Sequence, residues 1–343
     1  MLDLGKECQG ALSIGITGHT NPDGDCIGTT LALWQFLKKL KPECRIDVIL
    51  EKPAPEYDFI QGIDQIITDD TKPFTYDVMI VVDSVPERCG HANTYVLRAK
   101  KLINIDHHIS NPGCGDAYYV DPKASSAAEV LYDLIASKQE YLDLIDKELA
   151  QTIYVGIIHD SGVMQYSNTS PKTLRIVADL ISYGFDFPKL IEETFYERTY
   201  IQSQITGRAV LEAFPMLDGK CMVSMVDRKT MDFYGAEKKD LSGIVNELRN
   251  IKGVEVAIFI YEVGTQEYKI SMRSRSYIDV AKVAVFFGGG GHVRAAGCNM
   301  NGNFYDIVNN LMEQIVLQME ALHIETGCID CLLYTSDAAD DLI

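Results

Sequence analysis

Four stretches of the chain put side chains that bind cations or carry protons at the point where an apolar run ends. The first is His19-Thr-Asn-Pro-Asp23-Gly-Asp25, directly after the run Ala11–Gly18. The second is Asp83, after Val78–Val82, and the third is Asp106-His107-His108, at the end of Leu102–Ile105. The fourth is Asp160, closing Ile153–Ile158. Each alone has an ordinary reading, since an Asp after a strand caps a helix or forms a turn and a pair of His is often structural. Gathered at one place they are different. Two imidazoles and four carboxylates repel at neutral pH unless cations neutralise them. Oxygen-rich ligands with about one His per ion suit Mn²⁺ or Mg²⁺ better than zinc in a thiolate cage. A shared carboxylate with ligands for two ions about 3.5–4 Å apart is the arrangement of two-metal hydrolases.

The elements that must bring them together can be read from hydrophobic pattern. Ala11–Gly18, Ile46–Leu50, Val78–Val82 and Leu102–Ile105 are short apolar runs closed by loop or acidic residues. Gly28–Leu40, Ser126–Ala136, Glu148–Ile158 and Pro171–Tyr183 have helical spacing. Buried strands alternating with helices predict an α/β layer, a parallel sheet covered on both faces. In such sheets the ligand crevice lies at the carboxyl ends of the strands, where three of the clusters fall, so the four, with Asp160 at the end of a helix, should converge. Pro188–Phe214 reads as a connecting helix. Beyond it Cys221–Val226, Val254–Tyr261 and Glu267–Met272 read as strands, the last two as a hairpin around Gly264, with helices at Ile278–Phe286 and Tyr305–Leu322. This predicts a smaller α+β domain. The expected organisation is 1–187, a helical linker 188–214, and 215–330. The last thirteen residues, 331–343, resemble a translated sequencing adaptor and are expected not to belong to the fold.

Composition narrows the partners. The 343 residues carry 31 Lys+Arg against 49 Asp+Glu, a formal net charge of −18. A long nucleic acid needs a continuous basic track, and none is present. The acidity also disfavours an anionic membrane surface, and no apolar run approaches the roughly 18 residues that span a bilayer. With no export signature, a cytoplasmic protein is expected. Nine scattered cysteines read as buried apolar residues of a reducing compartment. Cys328 and Cys331 form the one CxxC, and Cys331 falls in the excluded tail.

HTNPDGDCIGTTLAL, VVDS, NIDHHISNPGCGDAYYVDPKASSAAEVLYDLI and GIIHDSG resemble, in order, the four motifs of the DHH phosphoesterase family. SMRSR and GGGGHVRAAG resemble the DHHA1 domain that follows in its oligoribonuclease and phosphoadenosine-phosphate phosphatase subfamily. The resemblance runs from about residue 12 to about 320. It implies two divalent cations, with Mn²⁺ favoured over Mg²⁺ or Co²⁺. His19, Asp23 and Asp83 would hold one; Asp25, Asp83, His107 and Asp160 the other, with Asp83 bridging and a hydroxide between the ions as nucleophile. Asp106 would orient a histidine, and His108 would face substrate, protonating the leaving oxygen or holding a phosphate oxygen. Arg273, Ser274, Arg275, Gly289, Gly290, Gly291 and His292 would bind the substrate's terminal phosphate. The Gly288–Gly291 run lacks the Lys-Ser/Thr of a nucleotide-triphosphate loop. Ser125 is expected to cap the helix after it, with Glu129 in that helix's first turns. Ala127, Ser161 and Thr29 depart mildly from the family pattern, without touching an expected ligand.

The resemblance further implies a homodimer and a hinge near residues 185–215. The expected activity is hydrolysis of short oligoribonucleotides to mononucleotides, of 3′-phosphoadenosine 5′-phosphate to AMP, or both. Alternatives are a cyclic or linear dinucleotide phosphodiesterase and a non-catalytic nucleotide-binding module. A pyrophosphatase is disfavoured by the SMRSR and GGGGH segments.

Overall fold

The computed structural model describes residues 2–69 and 74–324; the tail 331–343 and the Cys328–Cys331 pair lie outside the described residues. The chain forms two compact units, Met1–Glu197 and Arg198 onward.

In the first unit five strands form one sheet: β1 (Ser13–Thr17), β2 (Arg45–Val48), β3 (Val78–Val82), β4 (Leu102–Asp106) and β5 (Ala117–Val120). Their order is β2-β1-β3-β4-β5, and every pairing is parallel. β1 and β3 are buried along their whole length, because each face of the sheet is covered and no position can be polar without a partner. Val78, Ile80 and Val82 pack with Ile14 and Ile16 into the larger core. Met79 and Val81, pointing the other way, pack with Tyr76 and Tyr95.

The helices behind the site are α1 (Gly24–Leu40), α2 (Ala127–Ala136), α3 (Lys147–Asp160) and α4 (Pro171–Ile181). α1 crosses α3 at two glycines: a Cβ on Gly28 would lie 2.7 Å from the Gly156 nitrogen, and one on Gly156 would lie 2.9 Å from Asp25 Oδ1. This close approach seats the first turn of α1 beside the end of α3. The strand order reverses between β1 and β3, and their carboxyl ends open the crevice.

The expected single helix over 188–214 is instead a series of pieces. Phe187–Ile191 is α-helical, Glu192–Tyr196 widens into a π turn, Glu197 is extended, and α5 (Tyr200–Leu211) starts afresh. Thr199 caps α5 in a reciprocal bond with Gln202, a start signal inside what reads as a continuous pattern.

The second unit has a six-stranded sheet of β6 (Phe214–Met216), β7 (Cys221–Val226), β8 (Val256–Gly264), β9 (Glu267–Ser274), β10 (Gly290–His292) and β11 (Ala295–Asn301). The order is β10-β11-β9-β8-β7-β6, antiparallel except for β7 with β8. α6 (Val280–Phe286) and α7 (Phe304–Ala321) cover one face; α5 and the short helix Ile244–Asn250 cover the other. The fold is thus α/β, a parallel-sheet unit followed by a smaller mixed-sheet one.

Candidate metal centre

β1 ends and the chain turns through His19 into α1. Asp23 is the N-cap of α1, its Oδ1 accepting from the Asp25 and Cys26 amides at 3.1 Å each. The ordinary capping role and an outward-facing carboxylate coexist in this residue. The His19 Nδ1 lies 2.8 Å from the Thr20 carbonyl, so with the proton on Nδ1 the Nε2 lone pair faces the crevice. Nε2 stands 3.4 Å from Asp83 Oδ2 and 3.7 Å from Asp23 Oδ1.

Asp83 follows β3 with φ 53°, a left-handed backbone uncommon outside glycine. The kink turns its buried carboxylate towards both halves of the crevice. Oδ2 points to His19, while Oδ1 lies 3.5 Å from His107 Nε2 and 3.5 Å from His108 Nδ1. Asp83 is 3% exposed, and its Oδ1 accepts no hydrogen bond.

His107 Nε2 also faces Asp160 Oδ2 at 3.3 Å and Asp25 Oδ2 at 3.8 Å. Asp25 is itself held by amides at the start of α2: Ala127 N donates to Oδ2 at 2.6 Å and Ala128 N to Oδ1 at 3.0 Å. The donors fall into groups whose ligand atoms lie within 4.8 Å of one another: Asp25, His107 and Asp160; His19, Cys26 and Asp83; and Asp83 with Asp106, His107 and His108.

These spacings suit cations. Separations of 3.3–3.8 Å are long for hydrogen bonds. They match two atoms bonded to one ion at roughly 2.0–2.2 Å each. The orphaned Asp83 oxygen is a second fit, as a buried acceptor normally has a partner. Charge is a third. Burial and the neighbouring Asp83 and Asp160 carboxylates push the Asp25 carboxyl well above its usual range. Burial, helped by Asp83 and Asp23, raises Asp160 to about 6. Burial opposes protonation of His107, yet the surrounding carboxylates lift it to about 10. Burial also opposes the charged form of His19, and hydrogen bonding to Asp23 and Asp83 outweighs it, so His19 too is raised. Without cations, these carboxylates and imidazoles would hold protons in place of positive ions.

Asp106 belongs to the neighbouring layer. Its Oδ1 accepts from His108 Nδ1 at 2.7 Å and from the His107 and His108 amides; its Oδ2 accepts from Asn111 Nδ2 at 2.6 Å. Burial alone would raise Asp106, but the bonds from His108 and Asn111 hold it below the usual range. The Asp106 hydrogen bond in turn raises His108. Sequence reading missed the support behind this pair. Asn111 also donates to Asn104 Oδ1 at 2.8 Å, and Asn104 donates to the carbonyls of Val81 and Ser84. The available signal was an Asn in the otherwise apolar run Leu102–Ile105, for a buried amide requires partners.

Two further neighbours were missed. Cys26 is fully buried beside His19 and Asp83, and burial pushes its thiol up to about 12. His159 precedes Asp160 and packs edge-on against Tyr57 and Phe195; a Cβ on Gly24 would collide with its ring. Burial lowers its pKa to about 4. The cap of α2 is Ser126 rather than Ser125: Ser126 Oγ accepts from the Glu129 amide, while Ser125 Oγ donates to Glu129 Oε2 at 2.7 Å.

The residues expected to touch substrate from the second unit divide. His292 and Arg273 share one row of the sheet, each paired with or next across from Ala295. Gly290 is exposed, and a Cβ there would meet open space. Gly289 and Gly291 are required for another reason, since a Cβ at either would strike the backbone of β11. Two of the expected residues already hold partners within the unit. Ser274 is buried, its hydroxyl donating to the Val293 carbonyl at 3.3 Å. Arg275 donates through Nε to the Val254 carbonyl and through Nη2 to that of Arg249. Ser274 is thereby held inside the unit, while Arg275 stays exposed with its guanidinium bonded to those two carbonyls. Arg294, next to the glycine run, is likewise bound to the Ile278 carbonyl at 2.7 Å.

Residues 13–157 match the DHH family, N-terminal domain, and residues 218–318 match the DHHA1 domain. In that order on one chain, they make this protein a member of the DHH/DHHA1 family, a hydrolase of phosphoester bonds. It is 27% identical over 282 residues (82% of this chain, 87% of the relative) to the bifunctional oligoribonuclease and PAP phosphatase NrnA of Bacillus subtilis. To the protein of the same name from Thermus thermophilus it is 29% identical over 295 residues, 84% of each chain. The crystal structure of an exopolyphosphatase-related protein from Bacteroides fragilis superposes with a TM-score of 0.83 at 26% identity, over 92% of this chain and 95% of that one.

Proposed function

We propose that this enzyme hydrolyses short oligoribonucleotides to mononucleotides and 3′-phosphoadenosine 5′-phosphate to AMP, using two divalent cations. The observation that carries the reading is the buried, unpartnered Oδ1 of Asp83 among imidazole and carboxylate atoms 3.3–3.8 Å apart. The names of the Bacillus and Thermus relatives support the pair of substrates. His19, Asp23 and Asp83 would hold one cation, and Asp25, Asp83, His107 and Asp160 the other. The donor set favours Mn²⁺, with Mg²⁺ or Co²⁺ as substitutes. When bound, such a pair supplies Lewis acidity towards the phosphoryl oxygens and activates water near neutral pH.

The chain's own residues do the remainder. Asp83 shares one carboxylate between both positions. Asp106 fixes the His108 ring through Nδ1 and favours its protonated form, so His108 can give a proton to the leaving oxygen. Arg273, His292 and the exposed backbone at Gly290 would receive a terminal phosphate. An acidic chain can serve such substrates because short nucleotides need local positive charge and no long basic groove. Among the described residues no helix is long and apolar enough to cross a membrane. The family resemblance supports a homodimer.

The test is incubation of the purified protein and Mn²⁺ with a labelled RNA dinucleotide and with 3′-phosphoadenosine 5′-phosphate, alongside pyrophosphate and a cyclic dinucleotide. The first two should be cleaved, EDTA should stop both reactions, and pyrophosphate should persist. Release from none of them would favour a nucleotide-binding module, and cleavage of the cyclic dinucleotide alone would reassign the substrate.

A further inference from the structure

Glu129 on α2 is 1% exposed and takes no part in the proposed cation sites. Its Oε2 accepts from Ser125 N at 3.1 Å, Ser125 Oγ at 2.7 Å and Thr173 Oγ1 at 2.7 Å. A buried carboxylate is costly unless it is hydrogen-bonded, and this one is bonded to a single turn, Ser125–Ser126, and to the first turn of α4. Two connections leave that turn. Through the start of α2, the Ala127 and Ala128 amides grip both oxygens of Asp25. Through Asn168, whose Nδ2 donates to the carbonyls of Ser125 at 2.9 Å and Asp160 at 3.0 Å, the turn is tied to the end of α3. Asp25 and Asp160 form one group of converging donors with His107. The opposite group is built differently: His19 is fixed by its own neighbour Thr20, and Asp23 by the first amides of α1.

We propose that Glu129 and Asn168 are positioning residues for one cation site only, that of Asp25, His107 and Asp160. The proposal rests on the two-cation reading above. Partners that orient metal ligands are typically worth roughly 10–100-fold in metal affinity, and here that leverage falls on one half of the pair.

The experiment titrates Mn²⁺ into metal-stripped protein, counting bound ions by electron paramagnetic resonance, with a thermal melt of each metal-free variant. Asn168 is exposed, so Asn168→Ala leaves the core intact and remains informative if Glu129→Gln fails to fold. In both variants one of the two Mn²⁺ ions should bind about 10–100-fold more weakly and the other as in the wild type. The metal-free Asn168→Ala protein should melt with the wild type. Equal weakening of both ions, or of neither, overturns the proposal. A wild-type protein that binds fewer than two ions overturns the two-cation reading itself, and this proposal with it.

Discussion

Asp83 combines three properties that singly are unremarked and jointly define a ligand: a left-handed backbone, near-complete burial and an oxygen with no donor. Asp83→Asn keeps the shape and removes the charge shared by both positions. Turnover should fall by at least about a thousandfold while the far-ultraviolet spectrum stays that of the native protein; near-normal rates would remove Asp83 from its role. The protons these groups would hold when no cation is bound give a second expectation. Asp160 titrates at about 6 and His107 at about 10 in the folded state, each above its usual value. Asp160 favours the folded protein's protonated form between roughly pH 4 and 6, where His159, lowered to about 4, opposes it; above about pH 6.5 His107 acts without that opposition, and stability falls as pH rises from about 6.5 to about 10. Metal-stripped protein should melt progressively lower from about pH 7 to about pH 9, and Mn²⁺ should remove most of the slope. A flat profile in the stripped protein would contradict these assignments. The clusters that carry the six expected ligands were visible because each stands where an apolar run ends, and the family resemblance supplied which of their residues would face a cation. Asn104, Asn111 and Asn168 were not, because an amide that orients a ligand leaves no spacing rule in the chain.

The element that matters most is the α1–α3 crossing, where Gly28 and Gly156 let two helices approach until no Cβ fits between them. Gly28→Val should force them apart. The expected cost is about 1–3 kcal/mol by denaturant melt, with loss of activity beyond what the stability change explains, since Asp25 sits in the first turn of α1. Full activity would show that the crossing does not position Asp25. The strands of the first sheet were readable because burial on both faces makes each a short unbroken apolar run. β5 was missed, as an edge strand with exposed Tyr118 carries no such run. In the second unit, Ile244–Asn250 and β11 escaped notice because a seven-residue helix shows barely two turns of period and β11 is rich in Gly and Asn.

At the scale of the whole molecule, each unit has hydrophobic cores of its own. The cores of the first end by Leu190, and those of the second begin at Ile205. The proposed cation sites belong wholly to the first. Calorimetry should therefore show Mn²⁺ raising the transition of the first unit, by about 2.7 kcal/mol at a hundred times the dissociation constant. The transition of the second should stay in place. A shift of both by the same amount would mean that the units unfold as one.

The account turns on two cations either side of Asp83, and anomalous X-ray diffraction at the manganese edge from crystals grown with Mn²⁺ examines that directly. Two peaks are predicted, roughly 3.5–4 Å apart, one against His19 and Asp23 and the other against Asp25, His107 and Asp160. No peak in the crevice, or a single ion away from Asp83, would contradict it.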